Sequence, residues 1–246
     1  MPTKEIQQRP GELPDEFYLT GKHQFYSLWL RGQGREQEAL EFLREASRRN
    51  PSPTSHWWLG SSLLMCGQFE EAITEFRQAI ERDDDLAGHL SLGRALDAAG
   101  RFDEAIEVFK KLLAHRPEEG TIYVGLGDAY KHWGKIELAI QAYREGARKH
   151  PDPFEAVLRL ATTLTEISRP EEAVLCLQPL EERYPKFGEV YLALGEALLG
   201  AGRKQEAMTS LYRMLEMRDE VEAEGLCDDE LNGIAEKARI LIAGIV

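Results

Sequence analysis

A short module returns six times along this chain at an interval of 33 or 34 residues. Each copy reads glycine (once serine), four variable positions, then alanine: Gly34/Ala39, Gly67/Ala72, Gly100/Ala105, Gly134/Ala139, Ser168/Ala173 and Gly202/Ala207. A fixed period of this length marks one supersecondary unit copied in tandem. Such a unit cannot bury its apolar face alone, so copies must stack on their neighbours. The expected product is an elongated superhelix with a continuous groove, and a surface of that kind implies binding.

The stretch from Gly120 to Pro153 shows what one copy encodes. Tyr123, Leu126, Gly127 and Tyr130 fall on one stripe of a helix with 3.6 residues per turn. Gly134-Lys135 then predicts a tight turn, because glycine takes positive φ without a steric penalty. Ile136, Ala139, Ile140 and Tyr143 make the stripe of a second helix. His150-Pro151 ends it, since the residue before proline is pushed out of the α region. The unit is therefore helix, turn, helix, stop.

Leu59-Gly60, Leu92-Gly93, Leu126-Gly127 and Leu194-Gly195 stand mid-way along the first helices. A glycine there costs about 1 kcal/mol relative to alanine, which makes sense where two helices cross closely. The repeated alanines are the expected partner side of that crossing. Phe76, Phe109 and Tyr143 follow such an alanine by four residues and share its face. Pro51, Pro117, Pro151 and Pro185 punctuate the joins.

On these residues the chain resembles the tetratricopeptide repeat family over roughly residues 20 to 221. The resemblance implies an all-α, right-handed superhelical solenoid of six helix-turn-helix units, at 20–52, 53–85, 86–119, 120–153, 154–187 and 188–221. The array is expected over 16–221, after a mobile arm at 1–15 that holds Pro2, Pro10, Gly11 and Pro14. A C-terminal capping helix is expected over 222–246. Gly225 reads as a stop and Asp228-Asp229 as an N-cap. Leu231, Ile234, Ala238, Leu241 and Ile245 form its stripe. Ile240, Ile242 and Val246 widen that face, which leaves docking or homo-oligomerisation through this helix as an alternative.

Two copies depart from the pattern. The first has Ser27 at the crossing position. The fifth has Ala161 at the crossing, Ser168 at the turn, Pro170 opening its second helix and Pro179 within it. A first-turn proline is harmless, whereas one in the body of a helix predicts a kink there.

The chain carries 30 basic and 43 acidic residues, a net charge of −13. That argues against nucleic acid, whose affinity rests on Lys and Arg meeting phosphates. It argues equally against anionic membrane surfaces. No basic-plus-apolar leader and no run of 18 apolar residues occur, so neither a signal peptide nor a membrane span is expected. Cys66, Cys176 and Cys227 are too scattered for a disulfide framework or a zinc site, which points to a cytoplasmic setting. Cys66 and Cys176 read as small apolar fillers.

Catalytic and metal motifs are not found. His56 and His89 precede Leu-Gly pairs and read as packed interhelical groups. Asp83-Asp84-Asp85 reads as a solvated turn rather than a calcium loop. No cofactor and no enzyme activity are expected.

In the family this chain resembles, first helices line the concave surface. Carried over by position, the groove comprises Trp57, Trp58, Ser61, Leu64 and Met65, then Arg94 and Asp97, then Asp128, Lys131 and His132, then Arg159, Thr162 and Glu166, and finally Glu196. The Lys and Asn clamp for chaperone C-termini is not matched: Trp57 and Ser61 stand there, and Gln24 and Leu28 in the copy before. No asparagine ladder occurs either. The expectation is a noncatalytic scaffold or adaptor that holds an amphipathic helix or extended peptide, with apolar anchors near Trp57 and Met65. A self-assembling module and a regulatory subunit of an enzyme complex are the alternatives.

Overall fold

The computed structural model describes residues 23–223 and 229–245. The arm expected at 1–15, the stop at Gly225, Asp228 and Cys227 lie outside the described residues. Among these, the chain is thirteen helices and no strands. They form six pairs: α1 His23–Gly32 with α2 Glu36–Arg49, α3 Pro53–Met65 with α4 Phe69–Arg82, α5 Leu86–Ala98 with α6 Phe102–His115, α7 Gly120–His132 with α8 Ile136–Lys149, α9 Phe154–Glu166 with α10 Pro170–Arg183, and α11 Gly188–Gly200 with α12 Lys204–Ala223. A last helix, α13 Asp229–Ala243, follows. The architecture is an all-α repeat solenoid. Two compact units are distinguished, one running to Pro117 with Asp128–Trp133, the other holding Glu118–Gly127 and Gly134 onward.

Each pair is closed by the same turn. Gly34, Gly67, Gly100, Gly134 and Gly202 have φ between +69° and +75°. At Arg35, Gln68, Arg101, Arg169 and Arg203 the N–H after the turn residue reaches back to the first helix, as Arg101 N does to Leu96 O at 2.9 Å. This is the Schellman arrangement, which satisfies carbonyls left over at a helix end. Ser168 adopts the same conformation, at φ 60°, without the glycine that suits it.

The crossing of the two helices sharpens the sequence expectation. The side chain nearest the mid-helix glycine is the one four residues after the alanine, on the face the alanine shares. A Cβ on Gly60 would stand 2.9 Å from the Phe76 ring, and one on Gly93 would stand 2.5 Å from Phe109. Tyr143 closes on Gly127 in the same way, and Leu211 on Gly195. The two departing copies follow the same logic: Ser27 and Ala161 occur where the residue four after the alanine is Leu43 or Leu177 rather than an aromatic. All these residues are buried.

An arginine ladder runs over the second helices. Arg101 donates from Nε to Glu104 at 2.6 Å and from Nη1 to Glu70 of the preceding pair at 2.9 Å. Arg169 does the same to Glu172 and Glu137, and Arg203 to Glu206 and Glu171. Each arginine thus holds its own helix N-terminus and the previous one, placing acids where the helix dipole favours them.

α10 runs as one helix through Pro179, whose side chain is exposed. Around this copy the loops carry an aromatic triad. The ring centroids of Phe154, Tyr184 and Phe187 lie 4.9 to 5.6 Å apart. Tyr184 donates to the Asp152 carboxylate and Arg183 donates to Pro151 O at 2.9 Å.

α13 packs on α11 and α12 as a cap. Leu231, Ile234, Ala238, Leu241, Ile242 and Ile245 join Tyr191, Leu192, Leu199, Leu211 and Met214 in one apolar cluster. Ile240 alone among its described large apolar side chains is well exposed, at 64%.

Two minor expectations change. Cys66 is an exposed C-cap of α3, not a filler. His56 is buried between helices, with Nδ1 2.7 Å from Glu75 and 3.2 Å from Ser47 Oγ. His89 instead is only half-buried and bonds Asp84 in the turn, while Asp85 caps α5 by accepting from Gly88 N.

Candidate functional site

The first helices of neighbouring pairs are brought into lateral register by contacts 34 or 35 residues apart. Arg31 Nη2 lies 2.8 Å from Met65 Sδ, Trp57 Nε1 donates to Ser91 Oγ at 3.0 Å, and His132 Nδ1 donates to Asp97 Oδ2 at 2.8 Å. Equivalent positions therefore form rows: Phe25, Trp58 and Ser91; Leu28, Ser61 and Arg94; Arg31, Leu64 and Asp97.

The residues taken from the sequence occupy these rows with different degrees of freedom. Met65 and Arg94 are exposed, while Ser61 and Leu64 are half-buried. Trp57 and Trp58 are half-buried and meet edge to face at 5.2 Å. The Trp57 indole is committed to the next pair through Ser91. It borders a cleft of about 180 Å³ lined by Pro53, Thr54, Asp83, Asp85 and Ala87. It is a wall more than an open anchor.

Asp97 is half-buried. Burial raises its carboxyl above the usual carboxylate range, the His132 hydrogen bond pulls it back, and the charge of Asp128 raises it again. Its second oxygen is buried with no partner. Asp128 and Lys131 are half-buried and His132 is exposed. In the other compact unit Arg159, Thr162 and Glu166 are exposed on α9, where Arg159 pairs with Glu155 at 3.2 Å. Glu196 is exposed on α11. Crowding raises its carboxyl, and Lys237 of the cap helix acts in the opposite sense. The cap covers Leu192 and Leu199 of the same helix.

Sequence reasoning missed the open apolar residues at the start of this face. Phe25 is 69% exposed and Leu28 46%; Met65, named from the sequence as an anchor, is 67% exposed beside them. The signal was available, since Phe25 and Leu28 are the positional equivalents of Trp58 and Ser61. Among the described residues no group of three or more His, Cys, Asp or Glu could hold a metal ion, and no helix is long and apolar enough to cross a membrane.

The tetratricopeptide repeat profile matches residues 30–87, 90–156 and 158–221, more than half of the chain. Among solved structures, yeast Tom70 is similar over 91% of this chain and 46% of its own, at 14% identity and a TM-score of 0.71. A tetratricopeptide repeat protein from Parabacteroides merdae is similar over 91% and 99%, at 15% identity and 0.58. A thermophilic one from Thermus thermophilus is similar over 72% and 98%, at 22% identity and 0.58. No curated protein matches the sequence. At these identities the structural likeness concerns the fold.

Proposed function

This chain belongs to the tetratricopeptide repeat family, whose members are generally protein-interaction scaffolds, and on that premise we propose that it is a noncatalytic adaptor holding a partner peptide or helix on its first-helix faces. The residues we assign to contact are Trp58, Ser61, Met65, Arg94, Asp97, Asp128, Lys131 and His132 in one unit, and Arg159, Thr162 and Glu196 in the other, with Trp57 as supporting wall. The observation that carries the reading is the asymmetry of the helix pairs. Second helices answer their charges within the array through the arginine ladder. The first helices of the first three pairs leave large apolar side chains and Arg94 open. Exposed apolar groups gathered on one face mark interaction surfaces. The three scattered cysteines support a reducing, cytoplasmic setting.

The test is site-specific photo-crosslinking in native lysate. A benzoylphenylalanine at position 61 reports on the first-helix face and one at position 111 on the outer face of α6. The proposal expects a discrete partner crosslinked from position 61. Crosslinks from position 111 alone would move the site to the outer surface and defeat it.

A further inference from the structure

The charge of the first three pairs is sorted by helix. Asp97 is the one acidic residue on α1, α3 and α5, and it is held by His132. The basic residues on these helices are Arg31 and Arg94. Among the described residues neither is paired with a carboxylate: Arg31 meets only the Met65 sulfur, and Arg94 projects into solvent. The second helices of the same pairs are rich in acid, and there Arg35, Arg44, Arg48, Arg49, Arg77 and Arg101 are answered by glutamates, while Arg82 donates to the Gln78 carbonyl of its own helix. In a chain with 43 acidic residues against 30 basic ones, two unanswered arginines on one face stand out. Arg31 stands one helical turn from Leu28 and against Met65, and Arg94 shares the row of Leu28 and Ser61. Arginine offers a planar fork of donors suited to carboxylates, and unlike lysine it remains charged at any working pH.

We infer that this face docks an acidic, apolar segment of a partner protein. Large apolar side chains rest on Phe25, Leu28 and Met65, and adjacent Asp or Glu carboxylates meet Arg31 and Arg94. This deepens the adaptor reading and rests on it. Charge complementarity selects the partner: a basic segment would face two uncompensated cations, and a neutral one would leave them without partners.

The test uses the full chain and a display library of random dodecapeptides, panned against the wild type and against Arg31→Glu/Arg94→Glu, with circular dichroism checking that helicity is kept. The expected outcome is enrichment of sequences that combine two or more large apolar residues with Asp or Glu. Their affinity should fall at least about tenfold in the variant, and fall with salt in the wild type, as charged contacts do. A separate variant, Phe25→Ser/Met65→Ser, should weaken the same peptides while keeping their preference for acid. Enrichment of basic or uncharged peptides, or binding indifferent to charge reversal, overturns the inference and leaves the adaptor reading standing if position 61 still crosslinks. No enrichment together with no crosslink at position 61 defeats both. Self-association in sedimentation velocity that charge reversal abolishes would make the occupant a second copy, and overturn the inference too.

Discussion

The third and fifth helix pairs perform the same packing with different residues. In the third, Gly93 lies under the Phe109 ring and Gly100 takes the left-handed turn. In the fifth, Ala161 occurs with Leu177, and Ser168 takes the turn at φ 60°. What is preserved is a sum of volumes across the crossing and a backbone conformation at the turn. Each ring at this position is met by a bare backbone, whereas a leucine is met by glycine at Gly195 and by serine or alanine in the two departing copies. The fifth pair also carries Pro179 inside α10. Its aromatic triad, with Tyr184 on Asp152 and Arg183 on Pro151, ties together the loops at its two ends.

The largest effect comes from transplanting one crossing into the other. Phe109 is fully buried, so its ring has nowhere to retreat. Overpacking of this kind costs about 1–3 kcal/mol, against about 1 kcal/mol gained by removing a mid-helix glycine. Gly93→Ala is therefore expected to lose up to about 2 kcal/mol in urea unfolding, with the double variant Gly93→Ala/Phe109→Leu recovering part of it. In the fifth pair, Leu177→Phe should destabilise, and Ala161→Gly should relieve it. Additive effects at either crossing would show that the two residues are not coupled.

The turns should respond with opposite signs. Gly100→Ala forces a Cβ into the left-handed region, at a cost of about 1–2 kcal/mol. Ser168→Gly removes that strain at an entropic cost to the folded state, for a net gain of about 0.5–1 kcal/mol. Thermal midpoints moving in the same direction would break the equivalence of the two turns.

The ladder gives a smaller, salt-dependent effect. Arg101→Gln should lower stability at low ionic strength, and the difference should vanish near 1 M salt, where the Debye length is about 3 Å. Position 68 carries glutamine naturally, and there Arg44 reaches Gln68 and Glu71 instead. A loss unaffected by salt would assign Arg101 a packing role.

The period, the turn glycines and the helix-turn-helix order were legible because they follow from stereochemistry local to the chain. The crossing was half legible: a mid-helix glycine announces a close approach, but its partner lies on another helix, and only the structure shows that the side chain four residues after the alanine comes nearest. The ladder left a trace in the Arg-x-x-Glu steps at Arg101, Arg169 and Arg203, hidden because acids at helix starts read equally well as solvated. The face itself could be indexed by counting. Which of its residues are free could not, since Trp57 on Ser91, Arg31 on Met65 and Asp97 on His132 are contacts between copies. Repeat arithmetic predicts neighbours, not hydrogen bonds.

The two charge regimes make the smallest and most discriminating prediction, in acid. On the outer side, hydrogen bonds from Arg48 and Arg49 hold the Glu45 carboxyl at about 2, and Arg101, Arg169 and Arg203 hold Glu104, Glu172 and Glu206 below the usual range. A carboxyl lowered by folding contributes stability that is present above its unfolded value, about 4.3, and is lost as pH falls through the folded one. For Glu45 that window runs from about 4.3 to about 2. On the first-helix face, burial raises Asp97, so the folded state takes up a proton before the unfolded chain does, and falling pH stabilises it there. Urea midpoints measured across this range should therefore respond oppositely to two substitutions. Glu45→Gln should flatten the acid loss and Asp97→Asn should steepen it. A shared direction would mean that the two faces do not differ in how they hold their charge, and would remove the electrostatic basis for separating a self-satisfied outer side from a face left open to a partner.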